Sequence, residues 1–476
     1  MAVMLLTIGI TLGFQREIRT KVIGASGHLR ITSLNQTDPK ETPRIPIDQS
    51  FYPWLDTVPG VAHIQVHATY PGIIETAEEI QGVVVKGIGS DYDTTFLHDH
   101  LVAGTLLSSL AEGLPNEVLL SRYLCDRLHV DLQDTITIYL VKGHEDIRPR
   151  RFMVRGIFRT GIEQVDQQQV LVHIGHIQRF AQWGLKAELL LDEAGPGQLT
   201  VEGLAFGGQG LYHYEWPGTR LSGKGPHSLD LRAPYDTTFS LVVSDAGHTI
   251  PDTAWIRLSS SSLNASSSPL TLDQLTITRG GSGGSHRYYC GGFEVFLDRY
   301  EDIETMDARI YEEYLDLGLR SISVKDAYPE LFAWLELLDT NVVVVIVLMV
   351  IVAIINMTSG LLILILERTR MIGVLKAMGA SDGMIRRVFL WDAAVILGTG
   401  IILGDLLGLG LALVQQRTGW VKLSLETYYV EAVPVALEWW PILLLNVGTL
   451  VICLVALVLP SGLVSRISPA RSIRFD

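Results

Sequence analysis

Apolar residues are spread unevenly along this chain, and their spacing changes character twice. In the last third they fuse into long runs. From Val342 to Leu366 no charged residue occurs in 25 positions, more than the roughly 20 a helix needs to cross a bilayer. Two further spans are predicted at Val388–Gln415 and Trp439–Ser461, the latter with paired tryptophans at its interface end. The opening MAVMLLTIGITLGF is apolar for 14 residues and stops at Gln15, short of a full crossing. It reads as the outer end of a first span, with Met1 internal to a longer protein. A signal peptide would need a basic n-region and a small-residue cleavage site, and neither stands before QREIRTK.

Between Lys21 and about Gln182 the pattern alternates between strand-like and helix-like. VVVKGIG, DTITIYLV and RRFMVRGIF have the β-branched content or alternation of strands, whereas EVLLSRYLCDRL places its apolar residues at helical spacing. Beyond Trp183 the chain turns rich in Gly, Ser and Thr. LTVEGLAF, LYHYEW, HSLDLRA, TTFSLVVSD and AWIRLSS predict short strands of a β-sandwich. GGQGLYHYEWPG followed by YDTTFSLVVSDAGH also resembles the immunoglobulin-like repeats of the polycystic-kidney-disease type. SSSSLNASSS and RGGSGGSH read as flexible linkers or loop tips. The α/β character returns at FEVFLDRYEDIETMDARIYEEYL. The predicted fold is thus an α-helical membrane domain of four transmembrane helices, the first incomplete, plus a large extracytoplasmic α+β domain with an inserted Ig-like β module. Its expected segments are 1–14 (end of helix 1), 15–186 and 291–338 (the α+β domain), 187–290 (the insert), 339–366, 388–415 and 439–462 (helices 2 to 4). The connections are 367–387, 416–438 and the tail 463–476.

Charge orients these spans. Arg368, Arg370, Lys376, Arg386 and Arg387 lie between the second and third, and Arg466, Arg471 and Arg474 follow the last. The positive-inside rule puts both segments in the cytoplasm and, by parity, the large domain outside. Arg16, Arg19 and Lys21 then fall outside, which long translocated domains tolerate. Over 476 residues the net charge is −14 with 48% hydrophobic residues, at a mean hydropathy of +0.29. An acidic chain without a basic stripe argues against a nucleic-acid partner.

Few motifs point to bond-making chemistry. GTRLSGKG, Gly218 to Gly225, approaches a phosphate-binding loop but has Gly225 where a hydroxyl residue is needed, amid Gly-rich hairpins. No metal is expected: His98, Asp99 and His100, or His173 and His176, lack a third ligand at recognisable spacing. No catalytic Ser/His/Asp set or G-x-S-x-G elbow is expected either. Cys125, Cys290 and Cys453 are too few for a disulfide framework; a Cys125 to Cys290 bridge stays open. Asp405, deep in the third span, is a candidate intramembrane polar site. Asp392, thirteen residues earlier, lies about 220° away around the helix, so the two form no dyad.

The loop after the second span, ERTRMIGVLKAMGASDGMIRRVFLWD, carries the strongest signal. Met371, Val374, Leu375 and Met378 recur at i, i+3, i+4 and i+7, one face of a helix. Gly379 is a natural helix stop and Ser381 a cap for a helix starting near Asp382. A basic amphipathic helix suits either a membrane surface or a groove on a cytoplasmic protein.

The stretch LLDTNVVVVIVLMVIVAIINMTSGLLILILERTRMIGVLKAMGASDGMIRRVFL, with the ending LPSGLVSRISPARSIRFD, closely resembles permease subunits of lipoprotein-releasing ABC transporters, within the FtsX-like and MacB-type permease group. GFQREIRTKVIGASGHLRI and the exported domain match more loosely. The resemblance implies a bacterial inner-membrane permease with a periplasmic domain, releasing lipoproteins. Its non-catalytic coupling helix would dock on a separate ATPase dimer through Met371, Val374, Leu375 and Met378, with Glu367, Arg368, Arg370, Lys376 and Gly379 beside them. ATP and magnesium would sit on that partner; this chain would bind no cofactor. A second permease copy or a related permease, lipoprotein cargo, a periplasmic carrier and membrane lipids are the other expected partners. Efflux, or control of cell-wall hydrolases, would use the same loop. A membrane-anchored surface-binding protein would need no ATPase. The family's exported domain usually lacks a β insert.

Overall fold

The computed structural model describes all residues except 37–39, 77–78, 109–113, 143–145, 196–197, 209, 226–227, 232–235, 247–248, 261–274, 425–429, 431 and 462–476. The expected tail 463–476, with Arg466, Arg471 and Arg474, and most of SSSSLNASSS therefore lie outside the described residues. The chain folds as two units, Met1–Lys21 with Tyr328–Asp476, and Val22–Ala327.

The first unit is helical. Its long helices are Pro329–Glu367, Asp382–Thr418 and Trp439–Ser461. These three are the described helices long and apolar enough to cross a membrane. Helix Pro329–Glu367 has 39 residues, about 58 Å at 1.5 Å per residue, roughly twice a hydrocarbon core. It starts well before the apolar run because Pro329 occupies the first turn, where a missing N–H costs nothing.

With three such helices among the described residues, the predicted count of four is not confirmed. The opening segment forms one helix, Ala2–Ser26, that does not stop at Gln15. QREIRTK consists mainly of good helix formers, so the helix runs on from the apolar opening through polar sequence. Gln15 itself is buried, and its amide donates to Asp339 Oδ1 at 2.7 Å, tying the first helix to the 39-residue one.

The second unit is built on a ten-stranded mixed sheet. Leu319–Ser323, Leu29–Ser33, Gly292–Leu297, Val61–Glu75 and Ile80–Ile88 are neighbours in that order, all antiparallel. Gln169–His173 follows in parallel with Ile80–Ile88, and Glu117–Ser121 runs parallel to Asp146–Phe158. Segments from both ends of the unit thus pair side by side in the same sheet. The predicted helix EVLLSRYLCDRL divides in two: Glu117–Ser121 is a strand with every residue buried, and only Arg122–Leu128 is helical. Ser121 makes the switch, since its Oγ accepts the Leu124 N–H at 3.1 Å as an N-cap.

From Leu185 to Gly281 the chain forms two antiparallel sheets. One contains Leu185–Gly195, Gln198–Gly207 and Ser228–Leu231. The other contains Ser222–Gly223, Tyr212–Glu215, Asp236–Asp245, Asp252–Ser260 and Leu275–Gly281. Leu199, Val201, Trp216, Leu241, Val243, Ile256 and Leu258 form their shared core, the packing of a sandwich. RGGSGGSH is not a flexible linker. Its first residues complete strand Leu275–Gly281, and Ser285, fully buried, accepts the Leu185 N–H at 2.8 Å. The Asp252 carboxylate holds the same root by accepting from Ala187 N at 2.8 Å and Gly284 N at 3.2 Å.

A buried ion pair ties the big sheet together. Lys86 Nζ lies 2.7 Å from Glu294 Oε1 and 2.9 Å from the Ala25 carbonyl, at the last turn of helix Ala2–Ser26. Gln65 donates to Glu294 Oε2 at 2.9 Å, and Arg30 stands 4.0 Å from Oε1. Burial acts to raise the Glu294 carboxyl, but Lys86, His67 and Arg30 overcome it and bring it down to about 2. Burial likewise lowers Lys86 from its ordinary value, against the pull of Glu294. Lys86→Met or Glu294→Leu alone should destabilise the domain by about 3–5 kcal/mol, because each strands a buried charge, whereas the double variant should recover most of the loss. Because the folded Glu294 value is depressed, its contribution is complete above the ordinary glutamate value and fades as pH falls from there towards 2. Chemical denaturation of the four proteins between pH 7 and pH 3 checks both statements.

Candidate functional site

The loop predicted to couple to a partner is a rigid turn. After helix Pro329–Glu367 the chain passes through Arg368 into helix Thr369–Ala377. Thr369 Oγ1 donates back to the Leu366 carbonyl at 2.6 Å and the Ile365 carbonyl at 3.1 Å, so a side chain spans the joint. At the far end Gly379 sits at φ +93°, the left-handed conformation that favours glycine. Ala380 N donates to the Leu375 carbonyl and Gly379 N to that of Lys376, both at 3.0 Å, the paired bonds of a Schellman stop. Ser381 Oγ then accepts the Met384 N–H at 3.3 Å and opens helix Asp382–Thr418.

Two contacts hold the loop helix against its neighbours. Ile372, fully buried, joins Leu361, Ile365, Ile385, Phe389 and Leu457 in a core under the turn, with Leu375 and Ala380 packed partly against it. Lys376 Nζ lies 2.9 Å from Asp382 Oδ1, and its side chain is only 10% exposed. Lys376 is therefore engaged within the loop rather than offered to a partner. What remains outward is a ridge of Met371, Val374 and Met378, 40%, 48% and 80% exposed, flanked by exposed Glu367, Arg368, Arg370 and Gly379. Of the four apolar residues read as one face, three stay on the surface and Leu375 leans inward. Ile372, Thr369 and Asp382 escaped the sequence reading. Ile372 is one residue out of the i, i+3, i+4 phase followed there, and its burial is decided by helices that only the fold brings near.

Asp405 stands elsewhere, on helix Asp382–Thr418, where Asn446 of helix Trp439–Ser461 donates to its Oδ2 at 2.5 Å. The pair joins two helices by a side-chain hydrogen bond, a common use of polar residues between membrane helices. Asp392 is exposed.

The histidine pairs serve the fold. His173 and His176 bond through Nε2 to the carbonyls of Ser108 and Pro115, at 2.8 and 2.9 Å. Burial lowers both, His176 to about 4. His98 and Asp99 are exposed, 3.9 Å apart, and His100 contacts the Phe96 carbonyl at 2.8 Å. Cys125 and Cys290 are separate, buried thiols, and burial pushes Cys125 up to about 12. Gly218 and Ser222–Gly223 belong to a module hairpin.

This turn, with helix Asp382–Thr418 and most of helix Pro329–Glu367, falls within residues 343–469, which match the model of the FtsX-like permease C-terminal domain. The C-terminal part of the chain is an FtsX-like permease domain. Among curated relatives, the lipoprotein-releasing system transmembrane protein LolE of Haemophilus influenzae is 28% identical over 189 residues, covering 38% of this chain and 45% of that protein. LolC of Neisseria meningitidis is 22% identical over 180 residues, 36% of this chain and 41% of its own. The ABC transporter permease YtrF of Bacillus subtilis is 28% identical over 118 residues, 25% of this chain and 26% of its own. The chain spans less than half the length of each of these relatives. Among solved structures, the periplasmic region of MacB from Actinobacillus actinomycetemcomitans is 16% identical with a TM-score of 0.24, covering 33% of this chain and 70% of that one.

Within the FtsX-like domain the turn chemistry sets measurable costs. Gly379→Ala, forced into a left-handed backbone, should cost about 1–2 kcal/mol, and Ser381→Ala about 1 kcal/mol through the lost cap. Amide exchange should accelerate across 369–385 in both variants while strands of the large sheet keep their protection.

Proposed function

We propose that this chain is the permease subunit of an ABC transporter, lodged in a bacterial inner membrane with the unit Val22–Ala327 in the periplasm. Helix Thr369–Ala377 docks in a groove of a separate ATPase subunit that carries the ATP and magnesium. The observation that carries this reading is the apolar ridge Met371, Val374 and Met378, presented by a turn whose other side is locked by Ile372 and the Lys376–Asp382 pair. An exposed ridge on a fixed helix is the geometry of helix-in-groove recognition, and its place in an FtsX-like permease domain favours an ATPase over a lipid surface.

Closure of the ATPase pair would push the turn as a body, because both ends of the loop helix are bonded into the neighbouring long helices. Helix Pro329–Glu367, unbroken over 39 residues, would transmit the push without a hinge. No carboxylate pair or nucleophile in this chain needs to act; its work is mechanical. The names of the LolE and LolC relatives favour lipoproteins leaving the membrane as the cargo. A second permease copy or a related permease would complete the complex, and a periplasmic carrier would receive the cargo.

Val374→Glu and Met378→Glu should abolish co-purification of the ATPase from detergent while leaving the melting curve unchanged, since exposed substitutions usually shift stability by less than about 0.5 kcal/mol. Leu375→Glu should instead lower the melting temperature, because Leu375 packs on the core. Retention of the ATPase by both surface variants would remove the docking role from this helix. Release of a lipoprotein from proteoliposomes by the intact complex, and its loss in the same variants, tests the cargo.

A further inference from the structure

Where the β module joins the α+β part of its unit, the surface folds into a cleft of about 580 Å³, within the size range of small-ligand sites. Arg150, from strand Asp146–Phe158, and Arg179, from helix Ile174–Phe180, stand on one wall. Lys186, Glu188 and Phe206 of the module form the other, and His286 lies at the junction. Lys186 and Glu188 are ion-paired to one another. The charge left over is that of two guanidiniums, in a chain whose net charge is −14.

Arg179 is held in place before any ligand arrives. Arg179 Nε donates to His286 Nε2 at 3.4 Å, so the ring nitrogen acts as acceptor and the imidazole is neutral. Burial, then Arg179 itself, pulls His286 down to about 4. That bond orients the guanidinium while using neither of its terminal nitrogens. Beneath it two backbones approach closely: a Cβ on Gly184 would stand 2.2 Å from the His286 backbone nitrogen. Asp252 and Ser285 bolt the same root, and Arg44 donates to the Trp183 carbonyl at 2.7 Å.

Two like charges lining one small cleft repel unless an anion lies between them. A carboxylate is satisfied by a single guanidinium fork, whereas two forks suit the several oxygens and higher charge of a phosphate. Phe206, 44% exposed on the opposite wall, offers an apolar face to whatever the phosphate is attached to. We propose that this cleft binds a phosphate group, held by Arg150 and Arg179, on a ligand whose body lies against Phe206. A free phosphate ester and a phospholipid headgroup share that chemistry. The site stands on the module's root alone and does not depend on the coupling role proposed above.

The test is calorimetry on the full-length chain in neutral detergent, titrated in turn with inorganic phosphate, glycerol 3-phosphate and short-chain phosphatidylglycerol. At least one should bind, and the Arg150→Gln/Arg179→Gln double variant should weaken it tenfold or more. Arg179→Lys, which keeps the charge and loses the fork, should weaken it less, and it decides the matter should the double variant melt early. Arg299→Gln/Arg309→Gln, exposed charges elsewhere in the same unit, should leave binding unchanged. Binding of glycerol 3-phosphate or inorganic phosphate identifies a free ester, and binding of the lipid alone identifies a headgroup. Absence of binding by all three probes, equal binding by the arginine variants, or equal weakening by the control pair overturns the proposal.

Discussion

A lysine ammonium and a glutamate carboxylate cannot be buried singly, and the second unit is organised around meeting that condition. Lys86 and Glu294 lie almost out of reach of water, 2.7 Å apart. Gln65 and the carbonyl of Ala25 add one further hydrogen bond to each. Those partners come from three adjacent strands and from the end of helix Ala2–Ser26. A slip of one residue in any of these strands would turn its side chain to the opposite face and leave a charge stranded. The pair therefore fixes strand register and helix end together, whatever its net contribution to stability.

The same economy operates at the loop helix on a smaller scale. Gly379, Ser381 and Thr369 satisfy backbone groups that a sharp reversal between two long helices would leave open. Ile372 and the Lys376–Asp382 pair consume the inner face. A surface ridge of Met371, Val374 and Met378 is what the turn has left to offer. Rigidity of this kind suits the proposed coupling role, because a flexible loop would absorb a displacement instead of passing it on.

The β module is fastened by a buried carboxylate and a buried serine, not by a tether. Its sandwich has its own core around Trp216, yet its root shares hydrogen bonds with the segment that returns to the large sheet. The cleft at that root brings together Arg150 of the host sheet and Arg179, which His286 holds.

Periodicity alone exposed the apolar runs, the loop helix with its glycine stop and serine cap, and the shift to short strands beyond Trp183, since these follow from local spacing and turn chemistry. It misread EVLLS because three apolar residues in a row, between a glutamate and a serine, fit either a buried strand or a helix, and only pairing with Asp146–Phe158 and Gln169–His173 chose the strand. It misread RGGSGGSH because glycines signal freedom until a neighbouring backbone packs on them. The outward ridge was legible in Met371, Val374 and Met378, while Leu375 and Lys376 turned inward for reasons that lie in Ile385, Phe389 and Asp382. Local sequence determined which elements form and where they stop. Which of their faces are buried, which charges find partners and which arginines share a cleft were decided by tertiary structure, because these depend on residues far apart in the chain.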